Sequence, residues 1–279
     1  MHSLVSTDWL GEHMQEPGLR ILDASLHLPA AGRDAAAEFA IGHIPGASFL
    51  DLAALRDPSS ALPNTLPTPA QAAARFAALG LARGDRIVLY DDSALLSAAR
   101  GWFVLRGFGF GHIALLDGGL GKWRAEGRPL ESGITSIAAT DFAPTEFTGA
   151  TRDKADMLAN ISSAAEQVVD ARDSERFAGT GADMVHGLPG GHIPGARNLH
   201  YRDLLRPDGT FRPATELRAA FAAAGIDPAR PIAASCGSGV TASAVLFALH
   251  LLGLEGALYD GSWSEWGADP ATPKATGPA

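Results

Sequence analysis

Two tandem copies of an α/β domain, each with a mostly parallel central sheet flanked by helices, are predicted by three features of this 279-residue chain. Four landmarks recur in the same order, short apolar runs alternate with helical patterns within each copy, and glycines and prolines punctuate both copies at matching places. Leu22-Asp23-Ala24 returns as Val169-Asp170-Ala171, and Gly42-His43-Ile44-Pro45-Gly46-Ala47 returns as Gly191-His192-Ile193-Pro194-Gly195-Ala196. Ile87-Val88-Leu89-Tyr90 matches Ile232-Ala233-Ala234-Ser235. Leu116-Asp117-Gly118-Gly119, followed by Trp123, matches Tyr259-Asp260-Gly261-Ser262, followed by Trp266. The spacing drifts only between 149 and 143 residues, so the copies differ by small loop insertions. The predicted organisation is a first domain over 1–130, a Thr-, Ser-, Ala- and Gly-rich linker over 131–152, and a second domain over 153–279 whose last dozen residues form a loose tail.

The elements follow from local chemistry. Thr68-Pro69-Ala70-Gln71 starts a helix, with Thr68 as N-cap, Pro69 at the first helical position and Gln71 placed to reach back; Gly80 ends it. The second copy repeats this from Pro213 to Ala224 with Gly225 as the stop, and Pro231 then leads into an apolar strand, Pro231 to Ser235. Past a glycine-rich turn, Ala242 to Leu252 reads as a helix. The twice-used His-Ile-Pro-Gly is architecture rather than chemistry, because a histidine present in both copies cannot serve a nucleophile present in one. Trp123 and Trp266 are anchors of the core or of a domain interface.

Composition narrows the function. With 46% hydrophobic and 19% charged residues the chain is neither disordered nor membrane-like. A net charge of −9, from 22 basic and 31 acidic residues, argues against nucleic acid or a membrane surface as partner, so an anionic substrate would need positive charge concentrated at its pocket. One cysteine excludes an internal disulfide, and the N-terminus lacks a basic region followed by an apolar stretch, which makes a cytoplasmic enzyme the expectation.

That cysteine, Cys236, opens Cys236-Gly237-Ser238-Gly239-Val240-Thr241 between the strand and the helix. A Gly-rich turn at a helix start can aim several backbone N–H groups at one point, and the helix dipole adds positive potential. Both favour thiolate over thiol. Gly237 and Gly239 allow the backbone to curl around the sulfur.

Over essentially its whole length the chain resembles the tandem rhodanese-type sulfurtransferases, in the paired His-Ile-Pro-Gly-Ala, the Leu-Asp-Gly-Gly and Tyr-Asp-Gly-Ser-Trp segments, and the Cys-Gly-Ser-Gly-Val-Thr loop. The neutral Gly237 and Ser238 make that loop similar to those of 3-mercaptopyruvate sulfurtransferases, whereas thiosulfate-preferring relatives carry basic residues there. The resemblance implies transfer of a sulfane sulfur from a small anionic donor, 3-mercaptopyruvate first and thiosulfate next, through a Cys236 persulfide to a thiol, cyanide or a thioredoxin-like acceptor, with no cofactor or metal. It also implies that Arg176, in Arg176-Phe177-Ala178-Gly179-Thr180, orients the donor, its guanidinium gripping a carboxylate in two hydrogen bonds. Gly237, Gly239, Val240 and Thr241 would cradle the anion. Ser238 is either a proton relay to the leaving group or a small loop-filling hydroxyl. Arg172 is read as structural. In the first copy Asp91 stands at the nucleophile position and cannot carry sulfur, so that copy is expected to be silent.

Three positions depart from the mercaptopyruvate pattern. The second arginine, nine residues after the first, is Val185, followed by His186; the His-Met-Leu-Pro segment reads Asn64-Thr65-Leu66-Pro67; and an acidic position near Asp51 is Ala53. His186 and Asn64 are the side chains placed to compensate at the substrate site, and a less polar donor stays open. A cysteine phosphatase would need an arginine six residues after Cys236, where Ala242 stands. A redox sensor would lack a resolving cysteine. A non-turnover carrier that relays persulfide between proteins is the remaining alternative.

Overall fold

The computed structural model describes residues 1–134, 137–183 and 185–278; Thr135 and Ser136 of the expected linker and Ala279 of the expected tail lie outside them. The chain divides into two units. The first comprises Met1–Ser59, Leu66–Gly149 and Pro207–Thr210, the second Ser60–Thr65, Ala150–Arg206 and Phe211–Ala279.

In the first unit the strands are β1 (Leu4–Val5), β2 (Leu19–Asp23), β3 (Ala47–Phe49), β4 (Arg86–Tyr90) and β5 (Ile113–Leu116), and the helices α1 (Thr7–His13), α2 (Ala35–Ile41), α3 (Pro69–Ala78), α4 (Ala98–Gly107) and α5 (Gly119–Ala125). The strands form one parallel sheet in the order β1-β5-β4-β2-β3. The second unit repeats the plan. Its strands are β6 (Thr151–Arg152), β7 (Gln167–Asp170), β8 (Arg197–Asn198), β9 (Ile232–Ser235) and β10 (Ala257–Tyr259), its helices α6 (Lys154–Ser163), α7 (Ser174–Ala178), α8 (Ala214–Ala223), α9 (Ala242–Leu251) and α10 (Ser262–Trp266), and its sheet runs β6-β10-β9-β7-β8, again parallel. Helices cover both faces of such sheets, which is why the middle strands read as unbroken apolar runs. All four residues of β9 are buried, and so is α9 from Ala242 to Leu249.

The predicted punctuation is present. Thr68 and Gln71 form a reciprocal capping box at the start of α3 with Pro69 at its first position, and Gly80 takes the left-handed φ of 65° just past its end. Pro213 caps α8 and Gly225, at φ 69°, follows it. The paired histidines are architectural in the same way in both units. His43 Nδ1 donates to the Phe39 carbonyl at 2.8 Å and His192 Nδ1 to the Phe177 carbonyl at 2.9 Å, each ring stacked on that phenylalanine. Trp123 and Trp266 are fully buried in the cores of their own units, and each indole N–H donates to a proline carbonyl, of Pro129 and Pro273, at 2.8 Å.

Two segments are more firmly held than their composition suggests. Residues 137–149 strap onto the first unit: Phe142 stacks on Phe110, Phe147 packs edge-on against Phe108, and the Thr140 and Thr148 N–H groups donate to the Ala77 and Gly107 carbonyls. The tail is not loose, which corrects the expectation for it. Thr272 is buried and its hydroxyl donates to the Trp266 carbonyl at 2.6 Å, Ala275 and His192 exchange two backbone bonds of 2.9 Å, and the Gly277 N–H donates to the Ala178 carbonyl. Backbone pairing of this kind leaves no mark in residue type. No helix among the described residues is long and apolar enough to cross a membrane.

Candidate functional site

The loops leaving β7, β9 and β10 meet at the carboxyl edge of the second sheet, where parallel α/β sheets hold their ligands. Cys236 follows the last residue of β9 and is 2% exposed. Between it and α9 the chain makes one tight turn, with Gly239 at the left-handed φ of 79°. Among the described residues, none of the backbone N–H groups of Gly237, Ser238, Gly239, Val240 and Thr241 has an acceptor within the protein. Five successive donors without a protein acceptor, at the start of an apolar, buried helix, are the groups by which a turn of this kind can hold an anion.

The first unit shows the same loop closed on itself. Asp91, which follows β4, is buried, and its carboxylate accepts from the Ala98 N–H at 2.6 Å and the Ser93 N–H at 3.1 Å. Burial outweighs those two bonds and pushes its pKa up to about 7, with Asp23 and Asp92 adding repulsion. Asp91 thus fills with its own carboxylate the place that the cysteine loop leaves to a ligand.

Arg172, after β7, is a residue whose contribution the sequence understated. Its guanidinium is 1% exposed, lies 4.5 Å above the Trp263 ring, and donates to both oxygens of Asp170 and to the Gly191 carbonyl. Burial opposes its charge, but Asp170, Asp183 and the Cys236 sulfur outweigh that and hold its pKa above the ordinary value. The structural reading of Arg172 is therefore incomplete, since it also places a permanent buried cation within electrostatic reach of the sulfur. The corresponding position in the first unit is Ser25.

Arg176 lies in α7, whose N-cap, Asp173, takes the Arg176 N–H at 2.9 Å and its Nε at 2.5 Å. Its Nη1 is 3.6 Å from Asp183, while Nη2 has no partner among the described residues. Asp183 is the hub that sequence reading missed. Fully buried, it lies 3.5 Å from Arg172 and accepts from His186 Nδ1 at 3.0 Å. Burial alone would raise its pKa; His186, Arg176 and Arg172 outweigh burial and hold it down to about 2. The anionic acceptor fixes the His186 proton on Nδ1. The ring of His186 lies directly on Gly237, where a Cβ would overlap it. Val185 is 40% exposed and offers no charge.

Asn64, in the segment that belongs to the second unit, takes a left-handed φ of 58° and donates its Nδ2–H to the Ser238 hydroxyl at 2.9 Å. With its oxygen accepting, the Ser238 hydroxyl keeps its own proton to donate. Ala53 belongs to the first unit. Cys236, Ser238, Arg176, His186 and Asn64 are thus joined through Gly237 and Asp183, and Gly239, Val240 and Thr241 place further backbone N–H groups without a protein acceptor in the same loop.

Comparison with known proteins identifies the family. The rhodanese-like domain family matches residues 6–126 and 153–269. The 3-mercaptopyruvate sulfurtransferase of Escherichia coli (strain K12) is 40% identical over 266 residues, covering 95% of this chain and 94% of that protein. The Homo sapiens 3-mercaptopyruvate sulfurtransferase is 38% identical over 271 residues, covering 95% and 91%. Among solved structures, SseA from Escherichia coli superposes with a TM-score of 0.86 at 37% identity over 94% of this chain and 99% of that one. Tum1 protein from Saccharomyces cerevisiae gives 0.90 at 28% identity over 99% of both. Two matched domains, two parallel five-stranded sheets and relatives aligned along nearly their full length lead to one conclusion: the chain belongs to the rhodanese-like domain family, in tandem form, and is a sulfurtransferase.

Proposed function

We propose that the second domain, 153–279, moves a sulfane sulfur from 3-mercaptopyruvate, and less readily from thiosulfate, through a persulfide on Cys236, and that the first domain, 1–130, is catalytically silent. The observation that supports this best is the contrast between the two loops: five N–H groups without a protein acceptor around Cys236, against a loop occupied by the Asp91 carboxylate. A thiolate and a persulfide are both anions, so one set of donors serves both without rearrangement.

In the first step the Cys236 thiolate attacks the donor sulfur, the carbon–sulfur bond breaks, and its electron pair leaves as the enolate of pyruvate. The donor's thiol proton ends on carbon, giving Cys–S–S⁻ and pyruvate. With thiosulfate the leaving group is sulfite. In the second step an acceptor thiolate or cyanide attacks the outer sulfur and returns the Cys236 thiolate. Ser238, with Asn64 bonded to its oxygen, is the donor of a hydrogen bond to the enolate oxygen. Arg176 and His186 face the donor's carboxylate, Arg176 through its Nη2 edge. The acceptor is a small thiol, cyanide or a thioredoxin-like protein, and a reducing cytoplasm keeps Cys236 available.

Initial rates with 3-mercaptopyruvate and thiosulfate, using cyanide or a dithiol as acceptor and Cys236→Ser as blank, test the reading. Preference for 3-mercaptopyruvate, absent in Cys236→Ser, is the expected result. Turnover of neither donor, with Cys236 still taking up sulfur from a protein persulfide, would replace it with the carrier role, which the uncharged Val185 favours.

A further inference from the structure

The turn after β10 grips the peptide units on either side of Cys236. Ser262 is fully buried and sits at φ 50°, a left-handed conformation that L side chains resist. Its hydroxyl donates to the Tyr259 carbonyl at 2.8 Å, so its oxygen is turned to accept from the Cys236 N–H at 3.2 Å. The next residue, Trp263, donates its N–H to the Cys236 carbonyl at 3.0 Å, and Ser264 donates both N–H and hydroxyl to the Gly237 carbonyl, at 2.8 and 2.7 Å.

The first unit shows what has been added. Gly119, at the position of Ser262, takes nearly the same φ, 56°, and Leu120 donates to the Asp91 carbonyl at 3.0 Å as Trp263 does to that of Cys236. Gly121 stands where Ser264 stands. The backbone turn is thus common to both units, whereas the two hydroxyls occur only beside the cysteine. At position 119 a glycine adopts the conformation without strain, and at 262 a serine holds it under strain.

Peptide planarity gives these bonds a consequence. The carbonyl of one residue and the N–H of the next share a plane and point in opposite directions. Pinning the Cys236 carbonyl therefore fixes the direction of the Gly237 N–H, and pinning the Gly237 carbonyl fixes that of the Ser238 N–H. These are the first two of the five unpaired donors.

We infer that Ser262, with Ser264 beside it, is a positioning residue for the sulfur chemistry: its hydroxyl holds the Ser235–Cys236 peptide plane that carries the nucleophile and Ser264 holds the Gly237–Ser238 plane, on either side of the plane held by the Trp263 N–H, so that the loop's N–H groups keep their direction around the sulfur. The inference deepens the reading of Cys236 as nucleophile and rests on it. The strain at Ser262 is retained because glycine, which fits the backbone better, has no hydroxyl.

Iodoacetamide alkylation of Cys236, the chain's one cysteine, followed against pH with Arg172, His186 and Asp183 intact, tests it together with thermal unfolding. Ser262→Gly is expected to unfold at the same or a higher temperature, yet to alkylate at least fivefold more slowly at pH 7, its profile displaced to higher pH. Ser262→Ala, which keeps the strain, is expected to slow alkylation equally and to unfold at a lower temperature. Ser264→Ala is expected to slow it by a smaller factor. Wild-type alkylation by Ser262→Gly across the pH range overturns the inference. So does a loss of alkylation in Ser262→Gly that comes with a lowered unfolding temperature, since the role would then be stability alone. Alkylation needs neither sulfur donor nor acceptor, so either failure is separable from a failure of the donor assays.

Discussion

The His186 ring rests on Gly237 so closely that the loop and the Asp183 hairpin form a single packed unit. Gly237→Ala is expected to lower stability by about 1–3 kcal/mol, the usual result of overpacking a rigid site. Removing the ring as well, in His186→Ala with Gly237→Ala, is expected to recover most of that loss. Urea unfolding of the two single variants and the double variant gives the coupling; additive losses would mean the ring and the loop do not touch.

Asp183 sits between three basic side chains with no exposure to solvent. Its pKa of about 2 lies below the ordinary carboxylate value, so the folded protein releases the proton more readily than the unfolded chain. The resulting stability is complete above about pH 4 and fades as pH falls toward 2. Asp183→Asn is expected to cost about 3 kcal/mol at pH 7, where it leaves buried cations short of a counter-charge, and about 1 kcal/mol less at pH 3. Chemical denaturation at both pH values checks this.

Asp91 gives the opposite slope. Its pKa is raised to about 7, so between about pH 4 and 7 the folded first unit keeps a proton that the unfolded chain has lost. Stability from this group is full below pH 4 and declines as pH rises to 7, by a few kcal/mol at most. Asp91→Asn is expected to flatten the pH dependence of unfolding between pH 5 and 8 while leaving sulfur transfer unchanged. Lost activity in that variant would sink the reading of the first domain as silent.

Arg176 is oriented by Asp173 and Asp183 but keeps Nη2 for a ligand. Arg176→Ala is expected to raise KM for 3-mercaptopyruvate about 10- to 100-fold with a smaller change in kcat, because a bidentate grip on a carboxylate is made before and during reaction alike. Equal KM values for the variant and the wild type would remove Arg176 from the donor site.

The duplicated motifs, the punctuating prolines and glycines, and the lone cysteine after an apolar strand made the fold and the centre of the site legible, since each is a local constraint written in residue type. The charge arrangement was not. Asp183 follows no motif, and its importance comes from a hairpin in which its N–H donates to the Leu188 carbonyl and its own carbonyl takes the Leu188 N–H. Arg172 reads as a structural arginine, and only its burial and its place over the Trp263 ring, with the sulfur in electrostatic reach, show that it is also a cation of the site's surroundings. The role of Ser262 is carried by its φ, which a serine does not announce. The same holds for the tail, whose composition suggests mobility and whose backbone pairing denies it.

The pairing of Ala275 with His192 bears on the reactivity of the thiol. Gly191, the residue before His192, offers its carbonyl to Arg172, and a Cβ at 191 would come within 2.9 Å of the Ala275 carbonyl. The last residues of the chain therefore brace, through one glycine, the cation beside the sulfur. Cutting the Ala275–His192 pairing, as Ala275→Pro would by removing one of its two backbone bonds, is therefore expected to slow alkylation of Cys236, which iodoacetamide rates of the variant and the wild type check.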